Sequence, residues 1–422
     1  MASIGNANKL IQSDSFAERI DQIYSKGHYE TQILRYEVLL EVFSKHFGNE
    51  IDGLYSSPGR IEICGNHTDH NNGKVLCAAV NSDTIGAVKK TDTGIIRIAS
   101  QGFPVVKVDI KDMTYRKEEI GTSEALVRGI IRYMVDKGRK IGSFDCATIS
   151  NIYKGAGVSS SAAFECLIIR ILNDLFNDNE MHPIDIAKTA QFAESKYFGK
   201  PCGLMDQAAI AIGGVSYIDF EDEHNPVIRS MNWRFDITVV LINTGGDHSN
   251  LTSHYHSIKD EMSSIAEYYG YKSLRVIKES TFYNKLPELK SIFNGRTLLR
   301  AMHFYEENKR VELAEKAIMS KDLRALMMMI NQSGDSSYKK LQNCYVPGDK
   351  EQLIPFALSI SKHFDGVKAV RIHGGGFAGT IIAFVEKDKA EPYVKYMSNI
   401  FGKNSASVIT IRNSGATKVI SL

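Results

Sequence analysis

Two stretches of the chain concentrate side chains that can do chemistry. The first is "SSPGRIEICGNHTDHNNGKVL", residues 56–76, where Arg60, Glu62, Asn66, His67, Asp69 and His70 fall within eleven positions. Arg60 and Glu62 alternate with Ile61 and Ile63, the pattern of a half-buried strand, so the two charged groups share one face. "NHTDH" then places donors and acceptors close together, as a polyhydroxylated ligand requires. The same residue types also build turns for purely local reasons. A metal is the other chemical reading: His67 and His70 with Asp69 could hold zinc or iron, with a further ligand from His248, His254 or His256. Two histidines at this spacing are common by chance, and their strand–loop setting is not the helix of a zincin, which argues against it.

The second stretch is "KGAGVSSSAAFE", residues 154–165. It puts Gly155, Gly157, Ser159, Ser160 and Ser161 where an apolar helical pattern begins. A helix start has unbonded N–H groups and a partial charge of roughly +0.5. Glycines let a ligand approach the backbone, and hydroxyls can bond phosphate oxygens or hold Mg²⁺. A plain serine N-cap would look similar over one residue. No G-x-x-x-x-G-K-[ST] sequence occurs, so this is not a P-loop ATPase. A second glycine run, "HGGGFAG" with Gly375 and Gly376, contains G-x-G-x-x-G, but the strand-like "TIIAFV" follows it and the helix of a dinucleotide fold is missing. It reads as a β-loop-β turn closing over a ligand, or as a tight hairpin.

These segments need elements to hold them. The pattern predicts a helix over 15–48 with Tyr36, Leu39, Leu40 and Phe43 inward, and strands at 60–64, "KVLCAAV", "TIGAVKK", "GIIRIAS" and "VVKVDI". It predicts further helices over 122–137, 160–176, 184–198, 250–269, 298–318, 322–331 and 390–400. "FDCATISNIY", "GGVSYIDF", "FDITVVLINT", "VKAVRI" and "TIIAFV" are the remaining strands. With 422 residues, 43% hydrophobic and 24% charged, the chain is long enough for two cores. A change of pattern suggests domains 1–235 and 236–422. A net charge of +2 with scattered basic residues disfavours a nucleic-acid partner. Six widely spaced cysteines form no C-x-x-C pair. No leader pattern and no apolar run of ~18–20 residues is evident, so a cytoplasmic protein is expected, without membrane or obligate protein partner.

Four segments in order carry a resemblance: "GRIEICGNHTDHNNGKVL", "KGAGVSSSAA", "PCGLMDQ" (201–207) and "RIHGGGFAG", with "RAMHFYEENKRV" (300–311) adding to it. Together they resemble the GHMP small-molecule kinases, and within them the galactokinase family, over nearly the full length. The resemblance implies an α+β fold of two domains with mixed and antiparallel sheets and a ligand cleft between them. It implies ATP with Mg²⁺, and phosphorylation of galactose or a close relative on the anomeric hydroxyl. Asp206 then stands at the catalytic carboxylate and Arg60 at the catalytic arginine. His67, Asp69, Gly203 and Tyr255 match sugar contacts, and Asn66 stands where the family has a sugar-binding glutamate. Ser160 and Glu194 match the Mg²⁺ ligands. The phosphate loop (Gly155, Gly157, Ser159–Ser161) and Gly375 and Gly376 match the nucleotide side. Besides Asn66, His70 stands for a tyrosine and Glu62 for an asparagine, which leaves arabinose or an N-acetylhexosamine open as substrate. A catalytically silent sugar and ATP sensor, and a metal-dependent hydrolase using "HTDH", are the competing classes.

Overall fold

In the computed structural model the described residues are 2–24, 26–152, 157–200, 202–246 and 251–422. Strand Gly53–Cys64 is buried along its whole length and runs antiparallel to the long strand Lys74–Lys90. The nine residues between them carry "NHTDH", so one tight connection in the sheet presents the polar cluster. "KVLCAAV" and "TIGAVKK", expected as two strands, are one continuous strand with a register shift opposite Pro58 and Gly59.

The large sheet runs Thr417–Ser421, Gly53–Cys64, Lys74–Lys90, Phe144–Ser150, Ile95–Ser100, Val106–Asp109, and Val215–Asp219 with Val227–Met231 extends from the near end of Lys74–Lys90. It is antiparallel except where Ile95–Ser100 pairs with Phe144–Ser150, hence mixed. Helices Ser123–Asp136, Ser160–Phe176, Pro183–Phe192 and Met205–Ile212 share its larger apolar core, through residues such as Ile130, Leu167, Ala187 and Ile210.

Helices Ile4–Ile11, Asp14–Tyr24 and Tyr29–Phe47 gather against Leu54, Ile85, Ala87 and Ala147. Tyr36, Leu39, Leu40 and Phe43 face inward as their spacing predicts. Each such leucine, fully buried, contributes about 1.5–3 kcal/mol. The single helix expected over 15–48 is broken before Tyr29, where Gly27 adopts φ +90°.

The second sheet is antiparallel, in the order Val367–Ile372, Thr380–Val385, Thr238–Asn243, Ala406–Ile409. It lies wholly within the second half of the chain, but the final strand, Thr417–Ser421, returns to the large sheet. Helix Gly295–Met319 joins the two halves: Ala301 and Phe304 pack with helix Thr252–Tyr268, while Val311 and Ala314 enter the core of the large sheet.

Candidate active site

Arg60 rises from strand Gly53–Cys64 and Asp206 from the first turn of helix Met205–Ile212. They form a two-pronged pair: Arg60 Nε donates to Asp206 Oδ1 and Nη2 to Oδ2, each at 2.7 Å. Arg60 is 5% exposed, so the pair is shielded from water and geometrically fixed. Arg60 Nη1 donates to the Gly157 carbonyl, and the Ser159 hydroxyl donates to Asp206 Oδ2. Burial works against ionisation of Asp206, but the Arg60 charge, the Ser159 hydroxyl and the charge of Lys200 outweigh it and hold the carboxyl below its ordinary pKa.

The same contacts prepare an anion site. Helix Ser160–Phe176 begins after Ser159, whose φ of 60° is left-handed and whose hydroxyl, spent on Asp206, caps nothing. The first-turn N–H groups are therefore left for a ligand. Gly157 has φ +68°, and a Cβ there would come within 3.1 Å of His373 Nδ1. Gly155, with Lys154 and Tyr153, lies outside the described residues.

Glu194 lies on a single π turn, Ala193–Tyr197, that ends helix Pro183–Phe192; such turns often mark functional sites. The expected hydroxyl partner, Ser160, is exposed. Ser161, one residue further round the helix, faces inward and donates to Glu194 Oε1 at 2.8 Å. Ser161 thus replaces Ser160 as the hydroxyl beside this carboxylate. Lys200 Nζ reaches the same Oε1 at 2.8 Å, and Gln207 Nε2 donates to Oε2 at 2.6 Å. Glu165 lies below, with both carboxyl oxygens buried and unpartnered; burial and then the charge of Glu194 push its pKa well up. One carboxylate and one hydroxyl, both hard oxygens, are the kind of protein set that suffices for Mg²⁺.

On the other side of Asp206 is the "NHTDH" turn. Asp69 accepts from the His70 N–H at 3.0 Å. A Cβ on Gly203 would lie 1.7 Å from Asp69 Oδ2, so only glycine lets the carboxylate sit there. Burial, then the charges of Asp206 and Glu62, raise the Asp69 pKa to about 6. His67 adopts φ 56° and bonds the Gly375 carbonyl through Nε2 at 2.9 Å; burial lowers its pKa, leaving a neutral ring. Tyr255 packs on Gly375, where a Cβ would meet its ring at 2.7 Å, and donates to the Gly376 carbonyl at 3.0 Å. Gly375 and Gly376, expected at the nucleotide, instead turn their carbonyls to His67 and Tyr255.

Asn66, expected at the sugar, is engaged by protein groups. It is 1% exposed. Its Nδ2 donates to Glu62 Oε2 at 3.2 Å and the Gly374 carbonyl at 2.9 Å, and its Oδ1 accepts from Asn343 at 2.8 Å and Ser337 at 3.3 Å. With two donors and one acceptor oxygen all engaged, nothing remains for a sugar hydroxyl. Nor does "HTDH" assemble a metal cluster among the described residues, where no three His, Cys, Asp or Glu side chains gather. His67 is turned to Gly375, and His70 Nδ1 accepts from Asn71. His248 lies outside the described residues.

The turn is held from helix Gly295–Met319. Glu307 Oε1 accepts from the Gly65 N–H at 2.9 Å, His303 Nε2 donates to the Asn66 carbonyl at 2.9 Å, and Asn308 Oδ1 accepts from the Lys74 N–H at 2.7 Å. Burial pushes the His303 pKa down to about 4, so the ring is neutral and can donate from Nε2 while accepting from Ser336. Burial opposes the charge of Glu307, but the Arg310 and Arg371 guanidiniums and the Ser333 hydroxyl outweigh it and keep the carboxylate well below its usual range. Arg371, fully buried, pairs with Glu62 at 2.5 Å. Sequence reasoning assigned no role to His303, Glu307, Asn308, Asn343, Lys200, Gln207 or Arg371. The only local signal was polar residues at i and i+4 in "HFYEEN", on a helix otherwise buried at those positions.

A bidentate arginine–aspartate pair beside an open helix N-terminus, on a mixed sheet, is what the resemblance to the GHMP kinases leads one to expect. The model for the GHMP kinases N terminal domain matches residues 125–214, and the galactokinase galactose-binding signature matches residues 41–90. Galactokinase of Clostridium tetani is 30% identical over 86% of this chain and 92% of its own length. That of Streptococcus mutans is 29% identical over 87% and 94%. The solved structure of Lactococcus lactis galactokinase complexed with galactose superposes with a TM-score of 0.80, at 25% identity, covering 91% of this chain and all of that one. Methanococcus jannaschii mevalonate kinase, at 13% identity and TM-score 0.61, shares the fold over 85% of this chain and 98% of its own. The chain belongs to the galactokinase family, and so to the sugar kinases. No described helix is long and apolar enough to cross a membrane.

Proposed function

We propose that the chain transfers the γ-phosphoryl group of ATP to the anomeric hydroxyl of galactose, giving α-galactose 1-phosphate and ADP. Residues 1–235 form the lobe that carries Arg60, the helix start and Asp206, and residues 236–422 form the second lobe, lending their last strand to the first. The observation that carries the reading is the Arg60–Asp206 pair, joined directly to the helix N-terminus through Gly157 and Ser159 and flanked by Asp69.

The helix start at Gly157–Ser161 cradles phosphate through its N–H groups. Glu194 and the Ser161 hydroxyl would hold Mg²⁺, which when bound would offset charge on the phosphates. Asp69 accepts sugar hydroxyls, and His67 and Tyr255 form the wall under the glycine loop. Asp206 accepts a hydrogen bond from the anomeric hydroxyl. Because Arg60 keeps that carboxyl ionised and weakly basic, it orients the hydroxyl in the ground state and takes the proton late, once phosphoryl transfer has made the oxygen acidic. Arg60 also faces the transferring group with a fixed charge, so positioning and electrostatics supply most of the catalysis.

Asn66 favours a wider substrate range. Its side chain is saturated by protein, so position 66 offers no acceptor to the hydroxyl at C6. Sugars with galactose stereochemistry but no C6 hydroxyl, such as 6-deoxygalactose and L-arabinose, should then compete well. The test is ADP release with ATP and Mg²⁺ over these sugars and glucose, for the natural chain and Asp206→Asn. Galactose-dependent turnover that the substitution removes supports the reading. Binding of sugar and ATP without turnover would make the chain a sensor.

A further inference from the structure

Lys200 is built into the site by its backbone as well as its side chain. After the π turn at Glu194 the chain turns at Gly199, φ +83°, and the Lys200 N–H bonds back to the Glu194 carbonyl at 3.1 Å. The side chain then folds over the same residue, and Nζ meets Glu194 Oε1 at 2.8 Å. Glu194 is 2% exposed at its side chain, while that of Lys200 is 57% exposed. The ammonium therefore covers the outward oxygen of a buried carboxylate. Oε2 is turned inward to Gln207, which is fully buried.

Oε1 already has two donors, the Ser161 hydroxyl and the Lys200 ammonium, both at 2.8 Å. A divalent cation on that oxygen must displace one of them. Charge repulsion selects the ammonium, whereas a hydroxyl can turn its lone pair to the cation. The displaced ammonium has three donors and stands beside Ser161, in the first turn of the phosphate-binding helix. A phosphate held at that helix start would offer it a strong acceptor.

We propose that Lys200 is a nucleotide-binding residue of the phosphoryl-transfer centre: its ammonium pairs with Glu194 in the free protein and with an oxygen of the terminal phosphate once Glu194 takes up Mg²⁺. This rests on the reading above of where ATP and Mg²⁺ sit. It gives the site a second cation besides Arg60, one that changes partner when the metal binds.

Binding measurements on the full chain test it. Titration calorimetry with Mg²⁺ compares a non-hydrolysable ATP analogue with ADP, for the natural chain, Lys200→Met and Lys200→Arg. Loss of one charge-assisted hydrogen bond predicts about tenfold weaker binding of the ATP analogue by Lys200→Met. ADP, lacking the terminal phosphate, should be affected much less, and Lys200→Arg should recover part of the loss. Without nucleotide, Mn²⁺ followed by electron paramagnetic resonance should bind Lys200→Met more tightly, because Glu194 Oε1 is freed. Lys200→Gln repeats both measurements should the methionine variant fold poorly. Equal weakening of the two nucleotides, or none, overturns the phosphate contact, and unchanged Mn²⁺ affinity overturns the competition at Glu194. If the natural chain binds neither nucleotide, it is the proposed function that fails.

Discussion

Gly203→Ala isolates the sugar contact from the chemistry with a single methyl group. Gly203 has no left-handed backbone angle, so alanine can adopt its conformation. The new Cβ would lie 1.7 Å from Asp69 Oδ2 and 2.5 Å from its Cγ. The obstacle is the end of a short side chain, so the carboxylate swings away while the backbone stays. Arg60 and Asp206 keep their two 2.7 Å hydrogen bonds. A hydrogen bond to a charged acceptor contributes about 1.5–3 kcal/mol. At about 1.4 kcal/mol per tenfold, the KM for galactose should rise about ten- to 150-fold. The kcat at saturating sugar should change little, since the lost contact binds ground and transition states alike. Steady-state kinetics with varied galactose at fixed ATP and Mg²⁺ reads both. An unchanged KM in a folded variant would remove Asp69 from the sugar site. A collapse of kcat at unchanged KM would mean that Gly203 serves to place Asp206 instead.

Asp206→Asn should retain galactose and ATP binding by calorimetry while kcat falls by about 10²–10⁴, the usual worth of a positioned proton acceptor. Asp69 titrates near pH 6. Hydroxyl donors prefer its ionised form, so galactose affinity should rise with pH through about 6 and be lost as the carboxyl protonates below it; a flat KM from pH 5 to 7.5 would contradict this. Asn66→Glu should lower the melting temperature without tightening galactose. It removes two donated hydrogen bonds and sets a second carboxylate beside Glu62, and each buried group left unpaired costs about 1–3 kcal/mol. Tighter galactose binding in that variant would place residue 66 in the sugar contact shell after all.

What the sequence disclosed is what lies close together along the chain. The "GRIEICGNHTDH" and "GVSSSAA" runs are each one turn with its flanking element, so their residue types already state their work. Their pairing across the fold followed only from the family resemblance. The choice between Ser160 and Ser161 depends on the phase of a helix whose first residue a pattern cannot fix, and the serine one step further round met Glu194. Asn66 misled because its type suits a sugar and its partners are remote: Asn343 is 277 positions away and Gly374 is 308. The same distance hid His303 and Glu307, which read as ordinary helix residues until the helix is seen to cross the back of the turn. Apolar alternation recovered most strands, but "KVLCAAV" and "TIGAVKK" fused because the polar residues between them, Asn81 to Asp83, are hydrogen-bonded inside the sheet's surroundings rather than in a turn.

The position of the new phosphate ester tests the central claim most directly. Nuclear magnetic resonance of the product from galactose, ATP and Mg²⁺ should show phosphorus coupled to the anomeric proton in the α configuration, with the same product formed at least about a hundredfold more slowly by Asp206→Asn. Phosphate on any other oxygen, or undiminished product from that variant, would contradict the geometry proposed for Arg60 and Asp206.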